Sequence, residues 1–146
     1  MKIVDSNWNA ERRLLITRLK GRVRSEDVHR WEASLKRELD RIENNTTFKM
    51  ILDSYGYEPS SIDAHKEMRT IIPLTLAAYG FQTALLDLYD PIDLPVQSTR
   101  GITCIACAHI NHEEFKMGWY DQEIGRANER FFTDFKKAEM WITAIG

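Results

Sequence analysis

Cys104, Cys107, His109 and His112 form the densest run of reactive side chains in the chain. A C-x-x-C followed by H-x-x-H has the donor inventory of a tetrahedral zinc site. The same stretch, Gly101 to Ile110, reads as a β-strand. Strict alternation then puts Cys104 on one face with Ala106, and Cys107 on the other with Ile105 and His109. Two thiolates on opposite faces cannot share one ion, so the expectation is no metal, with both cysteines serving as small core residues. His109 and His112 keep their interest as strand-end residues, because an imidazole can donate, accept or titrate near neutrality. Asp53 and Ser54 close another apolar strand. With a histidine they would imitate a hydrolase constellation, although no G-x-S-x-G elbow surrounds Ser54 or Ser60. Gly21, Gly56, Gly80 and Gly101 stand singly, so there is no glycine-rich phosphate loop.

The elements that must position these residues alternate along the chain. Lys2–Asn7 and Leu14–Lys20 read as a strand pair. Ser25 is placed to cap a helix whose stripe is Val28, Trp31, Leu35, Leu39 and Ile42. Phe48–Asp53 has the nearly continuous apolar run of a strand covered on both faces. Ser60 or Ser61 caps a second helix running towards Tyr79, with Ile62, Ile72 and Leu76 buried. Pro73 kinks that helix or restarts it, and Gly80 ends it. Phe81–Tyr89 reads as a further strand, and Asp90–Pro95, with its two prolines, as a surface loop. After the strand Gly101–Ile110, Asn111 with Glu114 predicts a capping box for a third helix, striped by Met117, Tyr120, Ile124 and Ala127. The chain closes on a strand at Phe131-Phe132, a cap at Thr133 or Asp134, and a helix burying Phe135, Ala138, Trp141, Ile142 and Ile145. The order β-β-α-β-α-β-β-α-β-α predicts one α/β (α+β) domain over residues 1–146, with several parallel strands joined by right-handed crossovers.

The 146 residues carry a net charge of -2, and acids interrupt the basic run Lys36–Arg41, so no nucleic-acid footprint is expected. The apolar run Ile71–Phe81 is too short for a membrane span. Two cysteines and no export signal point to a reducing cytoplasm.

Three landmarks together resemble SpoIIAA-like STAS domains, in the branch grouped with CRAL-TRIO lipid-binding proteins. They are Gly21-Arg22-Val23-Arg24-Ser25-Glu26-Asp27 leading to Trp31, the strand ending in Leu52-Asp53, and Arg130-Phe131-Phe132-Thr133-Asp134 followed by Ala138 and Trp141. The resemblance spans Leu14 to Ile142. It implies a mixed sheet of about five strands with about four packed helices. It also implies partner binding switched by a phosphoserine at the start of the second main helix. Here that region reads Glu58-Pro59-Ser60-Ser61-Ile62-Asp63, without the family's glycine, making Ser60 or Ser61 the equivalent hydroxyl. The branch further suggests an apolar cavity between helices and sheet.

The resulting expectation is a non-enzymatic module that binds a protein partner, a small apolar ligand, or both, and needs no cofactor. Asp53, Ser54, Tyr55, Tyr57, His109 and His112 would orient the ligand, and Ile72, Leu76 and Trp119 would supply apolar wall. The alternatives are a small hydrolase using Asp53 and Ser54 with His109 or His112, and a structural homodimer built on leftover exposed aromatics.

Overall fold

The computed structural model describes residues 2–88 and 94–146. Its strands are β1 (Ile3–Asn9), β2 (Leu14–Val23), β3 (Thr47–Asp53), β4 (Tyr57–Pro59), β5 (Thr103–Ile110) and β6 (Glu129–Phe132). Its helices are α1 (Ser25–Leu39), α2 (Ile62–Ala78), α3 (Glu114–Ile124) and α4 (Phe135–Thr143). The sheet runs β1-β2-β3-β5-β6, and β4 pairs with the far end of β2. The β1–β2 hairpin is antiparallel; β2, β3, β5 and β6 are parallel neighbours. This is the mixed α/β architecture expected from the alternation of patterns. Among the described residues, no helix is long and apolar enough to cross a membrane.

The parallel strands are visited in order across the sheet. Right-handed crossovers that all move one way leave their helices on one face. Accordingly α1 and α2 bury Trp31, Leu35, Ile72 and Leu76 against Leu15, Leu19, Met50 and Leu52. On the same side, Tyr120 of α3 meets Phe131 edge-on, with ring centroids 5.6 Å apart. α4 follows the last strand and covers the opposite face, where Ala138 and Ile142 pack on Leu14, Ile51, Ala108 and Ile110.

Local chemistry sets most of the helix ends. Ser61 Oγ accepts from Ala64 N at 3.1 Å, and Asp134 Oδ1 accepts from Lys136 N at 2.9 Å. Gly80, at φ +77°, closes α2 with paired bonds from Gly80 N to Ala77 O and from Phe81 N to Leu76 O. Two caps differ from expectation. Ser25 is the first residue inside α1, and the cap comes from Asp27, whose Oδ2 accepts from Arg24 N at 2.9 Å. Asn111 Oδ1 accepts from Glu113 N, two residues on, so no box forms with Glu114. α2 runs through Pro73 as one element. Ile62, at its first position, is 74% exposed, because the helix turns its apolar face inward only from Ala64 onward. In α3 only Met117 is buried, and Ala127 lies beyond the helix.

The strand expected over Phe81–Tyr89 does not form where it is described. Ala84–Leu88 is a 3-10 turn, because Ala84 N and the Thr83 hydroxyl bond Glu129 rather than a neighbouring strand. Tyr89, and Asp90–Asp93 of the loop expected over Asp90–Pro95, lie outside the described residues.

Alternation also fails inside β5. Phe48 pairs with Cys104 and Lys49 with Ala106, so Ile105 is an extra, bulged residue. The slip reverses the parity of everything after it. Cys104 and Cys107 therefore lie in the same apolar cluster, on the α1/α2 face. The expectation of opposite faces was wrong, and His109 follows Cys107 onto the helix side.

Trp141 is only half-buried, tilted against Phe132 with centroids 5.7 Å apart. Trp141→Ala is therefore expected to cost about 2 kcal/mol, below the 3–5 kcal/mol typical of a fully buried ring. A urea melt checks this; a loss above about 3 kcal/mol would place the ring deeper.

Candidate functional site

α2 and α3 are separated in sequence by the long connection into β5, and they stand apart over the C-terminal ends of β3, β5 and β6. Between them lies a cleft of about 480 Å³. Its floor is Leu52, His109 and Phe131; α2 contributes His65, Met68, Arg69, Ile72 and Pro73; α3 contributes Lys116, Met117 and Tyr120. Ser54, Tyr57, Asn111, His112 and Glu113 complete it at the strand-end side.

The most constrained group in the cleft is His109. It is 4% exposed, and its ring lies flat on Phe131, with centroids 4.6 Å apart and planes 10° apart. Its Nε2 stands 2.7 Å from Glu129 Oε2. Glu129 is fully buried, and its carboxylate also accepts from Thr83 Oγ1 at 2.6 Å and Ala84 N at 2.7 Å, with Arg126 Nη2 at 3.3 Å. Burial alone would push the Glu129 carboxyl up, but the bonds from His109, Thr83 and Ala84 prevail and hold it below the usual range. A carboxylate only accepts, so His109 donates from Nε2. Nδ1 is the remaining ring nitrogen. It has no partner among the described residues and opens on the cleft.

Cys107 Sγ lies 3.6 Å from the same Nε2. The donor atoms of Cys107, His109 and Glu129 all fall within 4.8 Å of one another, which makes them the nearest approach to a metal set among the described residues. Bonds of about 2.0–2.1 Å set donors on a zinc tetrahedron roughly 3.3 Å apart. The 2.7 Å His109–Glu129 contact is instead a hydrogen bond. Burial, reinforced by the Glu129 charge, pushes the Cys107 thiol up, and burial takes the Cys104 thiol to about 12. Both thiols are thereby held protonated beside the hydrogen-bonded His109–Glu129 pair.

Elsewhere in the cleft, the Tyr57 hydroxyl lies 3.1 Å from His65 Nδ1. Burial pushes Tyr57 up to about 12, so the phenol is neutral. Burial, then the charges of Arg69 and Lys116, lower His65.

Of the residues expected to contact a ligand, Ser54, Tyr57, Ile72, His109 and His112 reach the cleft. His112 does so from an exposed position, with Nδ1 accepting from Gly56 N at 2.9 Å. Asp53 does not: it is buried behind the strand end, paired with Lys20 at 2.9 Å. Tyr55 is 50% exposed, beside His112 and outside the cleft. Leu76 is core beneath α2. Trp119 is 45% exposed, because Lys116, Met117 and Tyr120 define the inward side of α3 and leave Trp119 outside it. Ser61 caps α2, and Ser60 N donates to Val23 O at 2.7 Å. Ser54 is paired with neither His109 nor His112. Ser54 Oγ donates to Ile110 O at 2.8 Å and accepts from Asn111 Nδ2 at 3.1 Å, tying β3 to β5, while His109 is engaged by Glu129.

Glu129 is the main residue that sequence reasoning missed. One signal was present: it shares strand parity with Phe131, and a carboxylate on a buried face must have partners.

Protein-family models, curated proteins and solved structures were all compared with the chain, and none matches. What the fold and site define is thus a class, a small mixed α/β domain with a ligand-sized cleft at its strand ends.

Proposed function

We propose that the chain is a non-enzymatic, STAS-like binding module of the reducing cytoplasm, whose α2–α3 cleft takes a small amphipathic molecule. The observation that carries this reading is the cleft itself. Its volume of about 480 Å³ falls within the roughly 300–1,000 Å³ of ligand sites. Its walls are apolar at Met68, Ile72, Met117 and Phe131, and at its floor His109 Nδ1 has no partner among the described residues. Met68→Trp is expected to fill the cleft from α2, where Met68 is only partly buried. Binding of small amphiphiles, followed by native mass spectrometry and thermal shift, should then weaken at least about tenfold, or roughly 1.4 kcal/mol. Wild-type protein that retains and binds no small molecule would sink the reading.

A protein partner is the second reading. Phe115 is 89% and Trp119 45% exposed, four residues apart on one side of α3. They give a partner, or a second copy of the chain, an apolar contact beside the cleft. Light scattering that shows only monomer removes the homodimer.

A further inference from the structure

We propose that the cleft selects apolar carboxylic acids, and that the acid group sits on His109 Nδ1 and shares a proton with it. This rests on the cleft being a ligand site and goes further by naming the head group. His109 Nδ1 has no partner among the described residues and faces a cleft whose walls are apolar at Met68, Ile72, Met117 and Phe131. The ring cannot turn away: Phe131 fixes its plane and Glu129 fixes its opposite nitrogen.

The pinning also sets the kind of ligand. A carboxylate behind an imidazole fixes its tautomer and stabilises the imidazolium. The acceptors of Glu129 are taken up by Thr83, Ala84 N, Arg126 and His109, so its charge is immobile. A proton placed on Nδ1 gives a cation held between two anions, Glu129 behind and the ligand carboxylate in front. An alcohol offers only a neutral hydrogen bond, and an alkylammonium meets a partner that repels it once protonated. If the ligand arrives as the acid, its own proton moves toward Nδ1; if it arrives ionised, one proton comes from solvent. No bond to carbon forms or breaks.

The surroundings suit this. Cys107 beside Nε2 stays a neutral thiol. Across the space, α2 presents His65 and Arg69, and α3 presents Tyr120 and Lys116, which pairs with Glu113 at 3.2 Å. Tyr57 and His112 face it from the strand-end side, and Glu113 is the one carboxylate lining the cleft among the described residues.

Octanoate, 1-octanol and octylammonium share a chain and differ in head group. Titrated into the protein and followed by NMR, octanoate is expected to bind at least tenfold tighter than octanol, with octylammonium weakest. In the octanoate complex the His109 Nδ1 resonance should be of the protonated type. His109→Phe keeps a ring over Phe131 and should abolish the preference for octanoate over octanol. If octanol binds as tightly as octanoate, or Nδ1 is unprotonated in the complex, the acid reading falls while the ligand cleft stands. If none of the three binds, both fall.

Discussion

Replacing Trp31 with alanine is expected to lower the unfolding free energy by about 3–5 kcal/mol, the range for emptying a fully buried aromatic site. The indole is wholly buried between α1 and the sheet, at the centre of the larger apolar cluster. Its Nε1–H donates to Thr17 Oγ1 at 2.7 Å, and that oxygen also bonds Ser6 Oγ at 2.8 Å, which reaches Ser34 at 2.9 Å. The substitution therefore opens a large void and strips one donor from a buried hydroxyl network. Trp31→Phe separates the two effects: it keeps most of the apolar volume and should cost about 1–3 kcal/mol, part of it the unmet Thr17 acceptor. Urea melts of the two variants measure this directly. A loss below about 1 kcal/mol for the alanine variant would contradict the packing.

Glu129→Ala is expected to be as damaging at neutral pH, about 3–5 kcal/mol, because removing one member of a buried charged cluster strands the others. Thr83, the Ala84 N–H and His109 all lose an acceptor, and Arg126 loses its nearby countercharge. The cost should depend on pH in a defined direction. The folded carboxyl titrates below its ordinary value of 4.5, so the folded state holds the charged form more tightly than the unfolded chain does. That stability is complete above the ordinary value and is lost as pH falls through the lower, folded one. Wild type and Glu129→Ala should thus differ most above about pH 5 and converge on acidification. A gap that widened in acid would show that Glu129 is neutral in the fold.

The two variants differ in how readable their sites are. Trp31 belongs to a helical stripe, Val28, Trp31, Leu35 and Leu39, and period alone predicts that it is buried. Glu129 depends on Thr83 and Ala84, 46 and 45 residues away. Arg100 is a similar case: its guanidinium closes the C-terminal end of α1 through Leu39 O and Ile42 O, 61 and 58 residues back. Neither partnership leaves a periodic trace.

His109 shows the boundary within one residue. Its place at a strand end followed from the strand-like run Gly101–Ile110 and the polar break after it. Its direction did not, because the bulge at Ile105 inverted the parity of the last residues of β5. The same slip brought Cys104 and Cys107 onto one face. A bulge is set by how a strand pairs with its neighbour, and here by the register of β5 against β3.

By itself, then, the sequence determined most of the alternating strands and helices, narrowed two caps to Ser60 or Ser61 and to Thr133 or Asp134, and marked the helix stop at Gly80, each encoded within a few residues. The tertiary structure alone decided which side chains enter the cleft, that His109 rather than Ser54 carries its chemistry, and that Glu129 stands behind it. These depend on contacts between segments far apart in the chain, where register and packing choose the partner and local pattern carries no information about distance.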